Sequence, residues 1–381
     1  MMLFIRVLVA LSLLAAPVQA LETAARAAMV IDYDTGTVLL AKNADEPLPP
    51  ASMSKLMTLN MVFEALEAGR ITLDEKFSVS SSAVAVRGSS MFLNTQDRIS
   101  VEDLIKGVIV LSGNDAAVVL AEGLGGTEAE FSRQMTVRAR ELGMMNSTFV
   151  NATGWPNEGQ VMSARDLVFV ARRLIKVFPQ YYHYFAIREF PFDGRTPDNR
   201  FNRNPLLALD IGADGLKTGH TDEAGYGLIG SAVRGGRRVI VMITGMESSS
   251  ARSSEAERLM SWAFREFSMN TLFESGTELA RAEVWLGQDS QVGMALVGDV
   301  SMLLSYRTLP NIKAEIVFEG PIEAPITKGE MLGELVIEVP DRGVRRFPLA
   351  ATADVAAAGF VDRFKAAFNL LKTRVMAGEL L

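Results

Sequence analysis

The chain has 381 residues, 49% of them hydrophobic and 22% charged, with a formal net charge of −7. That length and apolar content suit two globular domains, and the acidic balance lacks the basic face that nucleic-acid binding needs. There is no cysteine and there are two histidines, His183 and His220, which rules out thiol nucleophiles, disulfides, thiolate zinc sites and a three-histidine metal site within one chain.

At the start, Arg6 precedes an apolar stretch from Val7 to Ala16 and the small-residue pattern Val18-Gln19-Ala20. This predicts a secretory signal peptide over residues 1–20, cleaved after Ala20. The stretch is well short of the ~20 apolar residues that a membrane span needs. Residues 28–31 and 37–40 read as two strands around the turn signal Asp32-Tyr33-Asp34-Thr35-Gly36. Pro49-Pro50-Ala51 then leads into Leu56, Met57, Leu59, Val62, Phe63 and Leu66, which repeat at helical spacing and stop at Gly69. The pattern predicts a buried helix with Ser52 at its N-terminus. Further helices are predicted over residues 101–110, 116–124 and 128–142.

After Lys217 the period changes. Tyr226, Leu228 and Ile229, and then the run Val239-Ile240-Val241-Met242-Ile243, read as adjacent buried strands, and a helix over residues 254–267 closes the unit. Strands at both ends with helices between them predict an α/β (α+β) domain over residues 21–275, one sheet flanked by helices. Residues 276–356 hold short β-rich runs separated by Gly287, Gly298, Pro310 and Gly320-Pro321, which predict a small all-β domain. In residues 357–381, Phe360, Phe364, Ala367, Phe368, Leu371 and Val375 fall on one helical face, with Arg363, Lys365, Lys372 and Arg374 on the flanks and the other side. Such a basic amphipathic helix is suited to lie on an anionic membrane surface; the alternative is a helix packed on its own domain.

Three short motifs carry the chemistry, in the order Ser52-Met53-Ser54-Lys55, Ser112-Gly113-Asn114 and Lys217-Thr218-Gly219. A serine hydroxyl is a poor nucleophile until a base takes its proton. Residues three apart share a helix face, so Lys55 can reach Ser52. To act as the base, Lys55 must be neutral, which burial and a neighbouring cation both favour. Lys217 is the expected second cation. Ser112 can relay a proton to the leaving amine, and Asn114 can hold Lys55 or the substrate amide. The Ser52 N–H at a helix start is a natural donor to the oxyanion. S-x-x-K and S-x-N are each weak signals, and a second S-x-N, Ser268-Met269-Asn270, falls in what reads as a helix end. The ordered conjunction is what carries weight.

This set resembles the motifs of penicillin-binding proteins and class A β-lactamases. The stretches Pro49 to Thr58, Ser89-Ser90-Met91-Phe92-Leu93, Val108 to Ala117, Ser163-Ala164-Arg165-Asp166-Leu167 and Asp214 to Thr221 are similar to those of the low-molecular-weight D-alanyl-D-alanine carboxypeptidases. The similarity runs over about residues 25–270 and, more loosely, through the β-domain and tail. It implies a β-lactamase/DD-peptidase-like catalytic fold and a periplasmic enzyme attached peripherally to the outer face of the inner membrane. That enzyme would remove the terminal D-alanine from peptidoglycan pentapeptide stems through a Ser52 acyl-enzyme. β-Lactam antibiotics would acylate the same serine, and no cofactor is implied. By the same resemblance, Lys217, Thr218 and Gly219 belong to the substrate-binding strand, with Thr218 on the substrate carboxylate. The His220 N–H would complete the oxyanion hole, and Arg252 would support the carboxylate.

The alternatives are a D-alanyl endopeptidase, a β-lactamase and a non-catalytic wall-binding scaffold. No E-x-x-L-N segment lies between Asn114 and Lys217 to place the deacylating glutamate of class A β-lactamases, and the intact motif side chains argue against a silent scaffold. Gly225-Tyr226-Gly227-Leu228-Ile229-Gly230 matches a dinucleotide-binding pattern, but its glycines fall inside a predicted strand with no helix after it, so close packing explains them better. His183, set among Tyr181, Tyr182 and Tyr184, reads as a surface or packing residue.

Overall fold

The computed structural model describes residues 3–9, 21–194, 196–340 and 343–360, with residues 3–9 given as backbone alone. The chain divides into two compact units, Ala20–Arg265 and a second formed by Glu266–Leu381 with Met1–Gln19.

The first strand, β1 (Leu3–Val9), pairs antiparallel with Lys313–Gly320 at the edge of the second unit's sheet. Residues 10–20, with the expected cleavage site, lie outside the described residues.

In the Ala20–Arg265 unit, β2 (Ala27–Asp32) and β3 (Val38–Lys42) form the expected hairpin. The helical segment follows as α1 (Lys55–Glu67), β4 (Lys76–Ser78), α2 (Ser81–Ala85), β5 (Arg98–Ser100), α3 (Val101–Lys106), α4 (Asn114–Gly125), α5 (Glu128–Glu141), α6 (Ala164–Val177) and α7 (Pro179–Tyr182). The chain then returns to the sheet with β6 (Ala213–Thr221), β7 (Gly225–Arg234) and β8 (Arg237–Met246), and ends in α8 (Ser249–Glu266). The order β3-β2-β8-β7-β6, antiparallel throughout, builds one five-stranded sheet from both ends of the segment. This is the architecture expected from the sequence, and β6 is an edge strand.

Both faces of the sheet are buried, which is why its central strands read as continuous apolar runs. Side chains alternate: Ala27, Met29 and Ile31 of β2 with Ile240 and Met242 of β8 face the core shared with α1, α4 and α6. Ala28 and Val30 with Val239, Val241 and Ile243 face Ala256, Leu259, Met260 and Ala263 of α8. Helix α1 is buried on nearly every side, and its Phe63 ring lies 5.0 Å from Tyr181 and 5.8 Å from Phe178. Burial of such side chains contributes about 1.5–3 kcal/mol each, enough to fix the helix that positions the Ser52 turn.

The second unit is all-β. Strands β9 (Phe267–Phe273), β10 (Glu278–Trp285), β11 (Gln291–Leu296), β12 (Val300–Ser305), β13 (Lys313–Gly320), β14 (Ile322–Glu323), β15 (Met331–Val339) and β16 (Gly343–Ala351) surround a core that includes Met294, Leu304, Ile337 and Leu349. Two features differ from the sequence expectation. Ser268-Met269-Asn270 lies in β9, paired with β12, and not at a helix end, so the compact unit changes at Glu266 where the sequence placed the boundary after residue 275. Strand β16 gave no separate signal because its first residues, including Val344, Arg345 and Arg346, are exposed. The amphipathic segment from residue 361 onward lies outside the described residues. No described helix is long and apolar enough to cross a membrane.

Candidate active site

Ser52 sits in a 3-10 turn, Ala51–Ser54, that runs directly into α1, one turn earlier than the regular helix expected there. Ala51 holds a left-handed φ of 47°, a conformation that costs a non-glycine residue about 1–2 kcal/mol. The turn is held from two sides. A side chain at Gly227 of β7 would come within 2.5 Å of Met53 Cε, which is the close packing expected of those glycines. Gly154, at φ 79°, leaves no room for a Cβ, which would fall 1.9 Å from the Ala51 carbonyl oxygen.

Lys55, fully buried at the first position of α1, points its amine back at the turn. Its Nζ lies 2.8 Å from Ser52 Oγ, 2.6 Å from Asn114 Oδ1 and 2.6 Å from the Thr153 carbonyl oxygen. Asn114 Nδ2 donates to the Arg87 carbonyl at 2.5 Å, which fixes the amide so that its oxygen faces the lysine. Burial is the main cause that lowers the Lys55 amine to about 7. The Arg203 guanidinium adds to the fall, and the carboxylates of Asp115 and Glu128 oppose it.

Ser112 lies between a wide π turn, Gly107–Leu111, and α4, with a left-handed φ of 59°. Such backbone strain clusters at functional sites, where surrounding contacts enforce it. Here the contacts are those of buried Asp115, whose carboxylate accepts from the N–H groups of Met91 and Leu93 at 2.9 and 3.1 Å and from Ser90 Oγ at 2.6 Å. The Asn114 N–H donates to the Ser89 carbonyl at 2.7 Å. The stretch Ser89 to Leu93 is thereby clasped to the start of α4.

Lys217 is buried on β6 and donates to Ser112 Oγ at 2.8 Å and to the Thr218 carbonyl at 3.1 Å. Its amine is pushed well down, first by burial and then by Lys55, Arg203 and Arg252. Lys55 and Lys217 are neighbouring buried cations, so the pair favours a single positive charge, and Arg203 adds to the fall of both amines. Unlike either lysine, an arginine keeps its charge.

A cavity of about 380 Å³ is lined by Ser52, Ser112, Thr218, Gly219, His220 and Arg252, together with Ser89, Arg203 and Ser249. Thr218 and Gly219 are buried, and His220 is exposed with its ring stacked 3.8 Å from Tyr226. Arg252 is buried beneath the cavity near the start of α8, 5.8 Å over the Tyr226 ring, and donates from Nη2 to Ser249 Oγ at 3.0 Å. Its Nε has no partner. Arg203 donates to Ser89 Oγ, and neither arginine has a carboxylate partner among the described residues. The structure thus brings every motif residue to one place, whereas His183 is exposed elsewhere, against Gln180 and Tyr184.

Sequence reasoning missed Arg203, Ser89, the Thr153 carbonyl and the clasp by Asp115. Asp115 adjoins Ser112-Gly113-Asn114 and was open to discovery from the sequence. Arg203, in the loop Asn202-Arg203-Asn204, carries no local signal.

The sequence matches the D-alanyl-D-alanine carboxypeptidase family over residues 15–248, and the C-terminal domain of penicillin-binding protein 5 over residues 267–357. It is 36% identical over 355 residues to the D-alanyl-D-alanine carboxypeptidase DacC of Escherichia coli, covering 91% of this chain and 88% of that protein. It is 34% identical over 350 residues to DacF of Bacillus subtilis, covering 90% and 88%. Among solved structures, the D-alanyl-D-alanine carboxypeptidase DacD from Francisella tularensis aligns with a TM-score of 0.75 at 28% identity, over 91% of this chain and 97% of that one. Penicillin-binding protein D2 from Listeria monocytogenes, solved in its ampicillin-bound form, aligns at 0.58 and 36% identity over 65% and 99%.

Proposed function

The chain belongs to the D-alanyl-D-alanine carboxypeptidase family and is a serine peptidase, and from that premise we propose that Ser52 is its nucleophile and Lys55 the base that activates it. The substrate is a peptidoglycan stem ending in two D-alanines. One observation carries this reading: the Lys55 amine has three oxygen neighbours, and two of them, Asn114 Oδ1 and the Thr153 carbonyl, can only accept. A neutral amine spends its two N–H groups on those acceptors, and its lone pair is left for the Ser52 hydroxyl.

The reaction follows from that arrangement. Ser52 Oγ attacks the carbonyl of the penultimate D-alanine as its proton passes to Lys55. The oxyanion is held by the Ser52 N–H and by His220. In an antiparallel edge strand a residue directs its N–H and C=O to the same side and alternate residues share an edge, so His220 directs its N–H where the Thr218 carbonyl meets Lys217. As the C–N bond breaks, Ser112 gives its proton to the leaving nitrogen and takes one from Lys217. The single positive charge of the lysine pair thereby moves from Lys217 to Lys55. Water then attacks the ester and loses its proton through Ser112 to Lys217, while Ser52 leaves with the proton held by Lys55. Every group returns to its starting state.

Arg252 and Thr218 take the free carboxylate of the terminal D-alanine. A buried guanidinium with an unpartnered Nε supports recognition of a carboxylate on the leaving side of the scissile bond. Penicillins are taken to acylate Ser52 in the same way, in line with the ampicillin-bound form of the Listeria relative. The leader pattern of residues 1–20 supports export to the periplasm, and the basic amphipathic pattern of residues 359–376 supports peripheral attachment to the membrane surface.

The test is to incubate the protein with a labelled penicillin and map the adduct, alongside product analysis on a pentapeptide substrate. The label is expected on Ser52, with release of one D-alanine, and Lys55→Arg is expected to abolish both because arginine does not give up its proton. A label on another serine would overturn the assignment.

A further inference from the structure

Ala152, the residue before the Thr153 carbonyl that meets Lys55, is gripped at both of its backbone polar groups. Its carbonyl accepts from Thr58 Oγ1 of α1 at 2.7 Å, and its N–H donates to Glu128 Oε1 of α5 at 3.0 Å. Ala152 and Thr58 are fully buried, so water does not compete for either grip. The loop is thereby fastened to two helices one residue away from the acceptor that Lys55 uses.

Glu128 is the first residue of α5, after the Thr127 cap, where the helix dipole favours a carboxylate. The dipole does not require it to point inward, since Glu130 of the same turn pairs with Arg133 at the surface. The half-buried Glu128 carboxyl is held above the ordinary carboxylate range, first by burial and then by Glu122 of α4, against the Ala152 hydrogen bond and the charge of Lys55. A neutral acceptor would hold the Ala152 N–H at a lower desolvation cost. The other charged groups around the Lys55 amine are Arg203, Lys217 and Asp115. Asp115 is committed to Ser90, Met91 and Leu93, whereas among the described residues Glu128 accepts from Ala152 alone. Its charge is left to act through space, on the buried amine.

We propose that Glu128 is a positioning residue of the acylation step, with two separable parts. Its oxygen holds the Ala152 peptide so that the Thr153 carbonyl directs the Lys55 lone pair, and its negative charge favours the ammonium that Lys55 becomes as it takes the Ser52 proton. The inference rests on the catalytic reading above and adds to it a carboxylate that touches neither substrate nor the reacting atoms.

The test is stopped-flow acylation by a chromogenic cephalosporin from about pH 5.5 to 9.5, in the unaltered protein and two variants. E128Q keeps an oxygen at the same reach and removes the charge. Its midpoint is expected about half a pH unit lower, with a plateau within about threefold of the unaltered protein because the base is slightly weaker. E128D keeps the charge and falls short of the Ala152 N–H by ~1.5 Å, one carbon–carbon bond. Its midpoint is expected to stay in place while its plateau drops about tenfold. The rate constant reports only molecules that react, so partial unfolding lowers the burst amplitude and leaves both readouts intact. A midpoint that E128Q leaves unmoved or raises, or a plateau as high in E128D as in E128Q, would overturn the proposal. Mapping of the adduct separates the two levels. A Ser52 adduct whose pH midpoint does not respond to E128Q refutes this inference alone, and absence of a Ser52 adduct in the unaltered protein refutes the catalytic reading beneath it.

Discussion

Asn114 accepts from Lys55 at 2.6 Å with one end of its amide and donates to the Arg87 carbonyl at 2.5 Å with the other, so a single side chain aims the lysine and ties it to the loop before Ser89. Asn114→Asp keeps the shape and replaces a dipole with a negative charge beside the amine. An opposite charge at that distance raises a lysine by about 1–3 units, so at pH 7 the neutral fraction and the acylation rate are expected to fall by roughly 5- to 500-fold. Stopped-flow acylation with a chromogenic cephalosporin measures this, and recovery of rate at higher pH distinguishes it from misfolding.

The unaltered protein carries its own pH signature. In the proposed mechanism Lys55 serves as the base only when deprotonated, and its amine is lowered to about 7, chiefly by burial. Acylation is therefore expected to rise about tenfold per pH unit below 7 and to level off above about pH 8. A rate that fell with rising pH across that range would assign proton removal to some other group.

Arg203 is the cation that adds to the lowering of Lys55, and it lies exposed against Ser89 with no carboxylate to neutralise it among the described residues. Arg203→Met removes the charge and keeps much of the volume. The midpoint of the acylation profile is expected to move to higher pH by up to about one unit, with the plateau above pH 9 reduced far less than the rate at pH 6. A profile lowered equally at every pH would mean that Arg203 acts through position alone.

How much of this was legible in the sequence divides along physical lines. The sheet was legible because both its faces are buried, and the alternation in Ala27 to Ile31 and Val239 to Ile243 leaves no polar position to confuse the reading. The pairing of Ser52 with Lys55 was legible because it is local, one turn of chain. The Lys217–Ser112 contact was legible only through the resemblance, since nothing in either segment encodes a partner 105 residues away. Arg203 escaped because its effect is electrostatic and acts through space from an irregular loop. The Thr153 carbonyl escaped because any residue supplies a carbonyl: what matters is the loop that aims it, and that loop depends on Asn151, whose Oδ1 accepts from the N–H groups of Thr153 and Gly154 at 3.1 and 2.8 Å.

That loop gives the last prediction. Gly154 combines a φ of 79° with contact against the Ala51 carbonyl so close that an added Cβ would lie 1.9 Å from the oxygen. Gly154→Ala therefore forces the 151–154 loop and the Ser52 turn apart, and since backbone meets backbone on both sides no side chain can rotate to relieve it. The Thr153 carbonyl moves with the loop and takes away one of the two fixed acceptors of the Lys55 amine. Stability is expected to fall by about 3 kcal/mol, or roughly 6–12 °C in Tm for a unit of this size, and acylation of the protein that remains folded is expected to drop at least tenfold. Thermal unfolding and labelled-penicillin acylation at 20 °C measure the two effects separately. Loss of stability with an unchanged acylation rate would show that the lysine does not need the Thr153 carbonyl to direct its lone pair.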